Sequence, residues 1–233
     1  MFKCFNIVNR SIKTLQKNNT CAFSFQSLKK LCEIYLTETP EITKPPYNFI
    51  CQVGNPVLRQ KTSFIDEKII QTQEFQKILD HLYKLLKKYD TVGLAAPQIG
   101  LPWQLFAIEV TEESVKCIHP YIRKCYDIIP YPLTYFINPK MKIINSEEIV
   151  HFETCASIHC YYAEVPRPKE VQIEALNKFG EPFSMKAEGW LARIVHHEMD
   201  HLKGHLYTDR MFPFSFNYGE WDKIDKYEKD IVN

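Results

Sequence analysis

Apolar positions along the chain keep two rhythms, and the switches between them mark out its elements. Phe75, Ile78, Leu79, Leu82, Leu85 and Leu86 recur at spacings of three and four, which predicts an amphipathic helix over about 71–89. Residues 103–110 read as a strand, and 134–157 as a β-rich stretch with breaks expected at Asn138-Pro139 and Asn145-Ser146. Two further β runs, 171–176 and 182–187, flank Asn177-Lys178-Phe179-Gly180, a hairpin turn signal. Helical spacing then returns at Leu191, Ile194, Val195, Glu198 and Leu202, with Gly204 placed to end that helix. Strands and helices do not alternate in a βαβ series, and no repeat is visible. The class expected is α+β, with mostly antiparallel β-sheets packed around one central helix.

The first residues follow a different pattern. Up to Cys32 there is no Asp or Glu, while Lys3, Arg10, Lys13, Lys17, Lys29 and Lys30 are spread through the stretch. Phe5, Val8, Ile12 and Leu15 fall on one helical face, and Lys3, Arg10 and Lys17 on the opposite one. A basic, amphipathic, acid-free start has the composition of a mitochondrial or plastid presequence and lacks the apolar core of a secretory signal. Pro40, Pro45 and Pro46 punctuate a linker behind it. The expected organisation is a presequence and linker over 1–46 and a single domain over 47–233, with the mitochondrial matrix as destination.

Composition removes several function classes. The net charge is +1, so nothing in it favours direct binding of nucleic acid or an acidic membrane. No apolar run approaches the roughly 20 residues of a membrane span. The eight cysteines form no CxxC pair and no regular framework, so they are expected as reduced, mostly buried thiols with one candidate ligand among them.

Chemistry concentrates in His196-His197-Glu198-Met199-Asp200-His201. His197 and His201 are four apart, so on a helix their imidazoles leave the same face one turn apart and suit two ligands of one ion. Glu198 lies beside the first ligand, able to reach the ion's water without binding the metal. His196 points elsewhere. A catalytic site needs a third ligand and an open position. Gly204 continues an HExxHxxG spacing, but position 207 is Tyr207 and His205 comes too early, so the third ligand is expected from upstream. Cys155, His151, His159 and Cys160 are all available there, and their spacing alone does not choose among them.

Three segments in order resemble the motifs of the peptide deformylases: Gly93-Leu94-Ala95-Ala96-Pro97-Gln98, Glu153-Thr154-Cys155-Ala156-Ser157 and the HEMDH run. Cys51-Gln52-Val53-Gly54-Asn55-Pro56-Val57-Leu58-Arg59 looks like that family's N-terminal segment, and Gly189-Trp190-Leu191-Ala192-Arg193 like its animal mitochondrial branch. The similarity covers about 47–212. It implies a hydrolase removing the N-formyl group from N-formylmethionyl nascent polypeptides, with the central helix binding the metal. The resemblance makes Cys155, His197 and His201 the ligands of one divalent ion, Fe(2+) by family habit with Zn(2+) also suited. Glu198 becomes the general acid/base, and Gln98 with the Ala156 backbone N–H the oxyanion donors. Val92, Gly93, Leu94, Trp190 and Ile194 become the substrate-binding residues, with Arg193 near the methionine pocket, and a homodimer is permitted.

Glu153 and Arg167 are expected to pair in support of the site. Thr154 stands where the family has glycine; if that position requires positive φ, a β-branched residue is strained there, and its side chain is placed to crowd a peptide. Ala156 replaces a larger apolar residue, and Thr91 replaces the first motif glycine. Metal binding is therefore expected to survive with activity or range altered. The alternatives are a catalytically impaired paralogue that binds N-terminal peptides, and another HExxH metallohydrolase.

Overall fold

The computed structural model describes residues 44–222, together with Lys29. The presequence helix expected around Phe5–Leu15 lies outside the described residues, and so does the stretch after Asp222. Contacts divide the chain into two units, 1–43 and 44–233, and the second contains every strand and helix named below.

Six strands form one sheet: β1 (Gly93–Ala95), β2 (Leu105–Val110), β3 (Tyr131–Cys155), β4 (Ile158–Leu176), β5 (Pro182–Glu188) and β6 (Asn217–Tyr218). They are ordered β1-β2-β3-β4-β5, with β6 on β4, and every pairing between them is antiparallel. The period of two in β2 shares its residues between two cores. Leu105 and Ala107 join Leu79, Leu82 and Leu86 of helix α1 (Gln73–Lys88) on one face. Phe106, Ile108 and Val110 join Ala192, Val195 and Met199 of helix α4 (Gly189–Leu202) on the other. The expected class is therefore the observed one, an antiparallel sheet held between helices.

Helix α1 begins where Thr72 accepts a hydrogen bond from the Phe75 N–H at 3.3 Å, and it ends with Lys87 and Lys88 in its last turn, both favourable to the helix dipole. Helix α4 ends as its sequence predicts. Gly204 takes φ +76°, and a Cβ there would meet the Arg59 carbonyl oxygen at 2.7 Å, so only glycine fits the cap.

Three features differ from expectation. Asn138 and Asn145 do not break β3: the strand runs through both with shifts of register against β4. Asn138 adopts φ +52° and its side chain pairs with the Ile65 backbone in both directions at 2.8 Å, so a turn residue serves as a bulge. Two short helices, α2 (Glu112–Cys117) and α3 (Pro120–Tyr126), stand where no helical periodicity was evident, each started by a local cap, Thr111 or His119. Among the described cysteines, Cys51 and Cys155 are buried, but Cys117 and Cys125 are exposed, because α2 and α3 lie on the surface; all are free thiols.

Beyond Glu148 and Pro168 the β3–β4 pair leaves the neighbouring strands β2 and β5 and continues as an arm, joined near its tip by β6 alongside Tyr161 and Tyr162 of β4. Its tip is the tight turn Ala156-Ser157, which returns Cys155 to Ile158. That tip reaches α4.

Candidate metal centre

The arm and the helix supply the two halves of the centre. Cys155 closes β3, and its Sγ lies 3.3 Å from Nε2 of His201. One helical turn earlier on α4, the His197 ring stands 5.1 Å from that of His201. One ligand atom from each of Cys155, His197 and His201 lies within 4.8 Å of the others, the only such trio among the described residues. One thiolate and two imidazoles at this spacing fit a tetrahedral ion with bonds of about 2.0–2.3 Å, leaving a fourth position open. Burial alone would push the Cys155 thiol up, but the facing imidazoles of His201 and His197 outweigh it and hold the thiol well below its ordinary value. A sulfur that ionises readily is ready to ligate. His151, His159 and Cys160 belong to no such group.

Behind the trio runs a chain of buried charges. His197 Nδ1 is 3.0 Å from Glu153 Oε2, which fixes the ring and leaves Nε2 as the coordinating nitrogen. Arg167 grips Glu153 bidentately, Nε and Nη2 each at 2.8 Å, and reaches Asp200 with Nη1 at 2.5 Å. Arg193 adds a bond to Glu153 at 2.6 Å, and Arg210 closes on Asp200 at 2.8 Å. Burial would raise Glu153, but the hydrogen bonds from Arg167 and His197 overcome it and hold the carboxyl far below the usual range. Asp200 is likewise held down by Arg167 and Arg210 against its burial. The expected Glu153–Arg167 pair is thus present. Asp200 and Arg193 as members of the same chain were not anticipated, although the aspartate of HEMDH was visible. Arg193 commits its guanidinium to Glu153 and to the Val165 and Ile149 carbonyls.

Glu198 is buried beside His197, and its Oε2 has no hydrogen-bond partner. Burial pushes its carboxyl up to about 7 against the opposing pull of His201 and His197. Gly93 of β1 lies directly under it: a Cβ there would meet Glu198 Oε1 at 2.5 Å. Gln98 sits in the short 3-10 turn after β1, and its carboxamide is aimed by three contacts. Oε1 accepts from the Ala95 N–H at 2.8 Å, while Nε2 faces Ser157 Oγ at 3.2 Å and Cys155 Sγ at 3.7 Å. A strap of backbone from the start of the domain ties these pieces together. Cys51 N–H donates to the Gln98 carbonyl at 2.8 Å, Val53 N–H to that of Ser157 at 2.7 Å, and Gln52 Nε2 to that of Ala156 at 2.9 Å.

The remaining expectations divide. Thr154 is not among the residues with positive φ; it is an ordinary strand residue, exposed, on the face opposite the buried Glu153 and Cys155, so the expected strain is absent. The Leu94 side chain is fully buried among the α1 residues, so only its backbone lies along β1. Val92 is half-buried and packs against the α4 core. Ile194 also packs into that core, whereas Trp190 and Arg193 line a cavity of about 160 Å³ together with Tyr126 and His151. Tyr126 and His151 stack at 3.9 Å, so the unforeseen helix α3 forms one wall of that cavity.

A metal-ready Cys-His-His trio, an unpaired buried carboxyl beside it and a fixed amide donor, brought together where a helix packs on an antiparallel sheet, define the class of metal-dependent hydrolases that act on a carbonyl. The family model for polypeptide deformylase matches residues 48–216, and the chain belongs to that family. It is 36% identical over 182 residues to the mitochondrial peptide deformylase of Homo sapiens, covering 78% of this chain and 75% of that one. With the chloroplastic peptide deformylase 1A of Solanum lycopersicum the identity is 37%, over 72% of this chain and 60% of that one. The crystal structure of a peptide deformylase from Synechococcus elongatus in complex with actinonin superposes with a TM-score of 0.61 at 31% identity, covering 74% of this chain and 84% of that one. The Thermotoga maritima enzyme gives 0.60 at 29% identity, covering 73% of this chain and all of that one.

Proposed function

We propose that this protein removes the formyl group from the N-terminal methionine of newly made organellar polypeptides. Cys155, His197 and His201 would hold the ion, Glu198 would move the proton, and Gln98 with the Ala156 N–H would face the formyl oxygen. The observation that carries the reading is the unpaired, buried Glu198 carboxyl next to a trio of donors fit for one ion. A divalent ion, when bound there, supplies Lewis-acid chemistry, acidifying water and polarising a carbonyl.

The chain's own residues do the rest. Glu198, with its carboxyl poised near neutrality, accepts a proton from the attacking water and delivers it to the amine nitrogen as the formyl C–N bond breaks. Formate and a free N-terminus leave. The Gln98 carboxamide is pinned at its oxygen by Ala95, so its NH₂ stays turned toward the metal centre with one N–H to offer the reacting carbonyl, and such a donor is worth about 3–4 kcal/mol when deleted elsewhere. The free edge of β1 at Gly93-Leu94 offers backbone pairing to an extended peptide. The cavity beside Trp190, about 10 Å up the helix from His197 at 1.5 Å per residue, would take the methionine side chain.

Iron(II) is the ion we assign on the family resemblance, the thiolate with two imidazoles suiting zinc equally. The mitochondrial matrix is the proposed destination, supported by the acid-free basic stretch to Cys32 and by relatives described as mitochondrial or chloroplastic. The decisive experiment is anaerobic purification with metal analysis, followed by formate release from a formyl-Met tripeptide. An ion-loaded protein that releases no formate from any formyl-Met peptide would end this reading, and full activity with zinc alone would end the iron assignment. A reporter fused to residues 1–46 that stays in the cytosol would remove the localisation.

A further inference from the structure

We propose that Ser157 is a positioning residue for the reaction, acting through Gln98. The role rests on the reading of Gln98 as an oxyanion donor and goes one bond further out. A carboxamide on a three-torsion side chain has no preferred direction by itself. Here Ala95 N–H holds the Gln98 oxygen at 2.8 Å, which leaves the NH₂ to turn toward the arm. Ser157 Oγ, fully buried at the arm's tip, then accepts from that NH₂ at 3.2 Å. One N–H is thereby occupied, and the second is left facing the Cys155 side, where Nε2 lies 3.7 Å from Sγ. Ser157 thus decides which of the two N–H groups turns to the metal centre, where it meets the Cys155 sulfur, and where it points.

The placement of Ser157 is itself rigid. Its carbonyl accepts the Val53 N–H at 2.7 Å, and Gln98's own carbonyl accepts the Cys51 N–H at 2.8 Å, so one strap of backbone sets both ends of the side-chain bond. Cys155 and Ser157 are two apart on the tip of one hairpin: the first offers its sulfur to the ion and the second its hydroxyl to the oxyanion donor. The arm therefore carries two jobs on one turn.

The test is a double-mutant cycle on the metal-loaded enzyme, reading kcat, KM and metal content with a formyl-Met tripeptide. Ser157→Ala is expected to lower kcat about three- to tenfold, the range one neutral hydrogen bond supports, with KM and metal content near those of the wild type. Ser157→Cys, whose sulfur is a weak acceptor of similar size, should fall between serine and alanine. In a Gln98→Leu background, Ser157→Ala should change kcat less than twofold. An equal loss in both backgrounds overturns the proposal, because Ser157 would then act without Gln98; so does an undiminished kcat in Ser157→Ala. If Gln98→Leu itself leaves kcat untouched, the fault lies with the oxyanion assignment, and the two failures are told apart. Should Ser157→Ala misfold, the Ser157→Cys arm of the cycle, with melting temperature read alongside, decides the matter.

Discussion

The α1 side of the sheet and the junction of the arm with α4 are built on opposite principles. Under α1 the packing is apolar: Leu79, Leu82, Leu86, Leu94 and Ile137 are closed from water, each contributing about 1.5–3 kcal/mol by burial alone. Where the arm meets α4, Glu153, Arg167, Arg193, Asp200 and Glu198 are equally buried, and burying charge costs several kcal/mol per ion before pairing offsets it. The first side holds the protein together. The second gives up part of that stability to hold one imidazole, one carboxyl and one sulfur in fixed relation. The contrast teaches which substitutions should damage folding and which should damage chemistry.

The sharpest separation is Glu198→Gln. It removes the proposed proton carrier and the unpartnered buried carboxyl together, so kcat should fall about 10²- to 10⁴-fold while melting temperature holds or rises. Turnover and calorimetry on the same preparation check both halves. Arg167→Met should damage stability and chemistry alike. It leaves Glu153 with Arg193 and His197 alone and Asp200 with Arg210 alone, which should cost about 3–5 kcal/mol in denaturant unfolding, and it loosens His197, which should weaken metal affinity about 10- to 100-fold by titration against a chelator. On the apolar side Leu82→Ala should cost about 2–5 kcal/mol with kcat per folded molecule unchanged; a large loss of kcat there would erase the distinction between the two sides. Gly93→Ala is smaller and purely positional: the added methyl displaces the Glu198 carboxylate, and kcat should drop about tenfold with little change in stability.

The mildest expectation concerns acid. Glu153 and Asp200 are both held below their unfolded values, so their stabilisation is complete above the ordinary carboxylate range, about pH 4. It is lost as pH falls through the folded values. Melting temperature should therefore decline below about pH 4 more steeply in the wild type than in an Arg167→Met variant. Parallel declines would show that the charged side contributes nothing to acid resistance.

How much of this could be read from the chain depended on whether a residue's partner was near in sequence. His197, Glu198 and His201 were legible because a helix turns local spacing into spatial spacing. The apolar stripe of α1 was legible for the same reason, and its observed limits lie within two residues of those expected. Cys155 is different: residues alone left it level with His151, His159 and Cys160, and only resemblance singled it out. Its partners lie across a hairpin and a helix, and no local pattern encodes that. The chain Arg193–Glu153–Arg167–Asp200 shows the limit most clearly, since charged residues in a strand or helix look solvent-facing until tertiary packing buries them. The bulge at Asn138 misled for the opposite reason: a residue that usually turns the chain was given a strand partner, the Ile65 backbone, that only the folded state provides.

The β3–β4 arm has a mechanical consequence. Beyond Glu148 the strands β2 and β5 no longer flank it and only the two-residue β6 pairs with it, yet it carries one of the three donor atoms, while the other two sit about forty residues later on a helix anchored in the core. An ion shared between them would act as a cross-link, closing a long loop much as a disulfide does and tethering the arm to the body of the molecule. Chelation should accordingly release the amides of the arm to hydrogen exchange well before those under α1, so that the ligand of the chemistry is also a rivet of the fold.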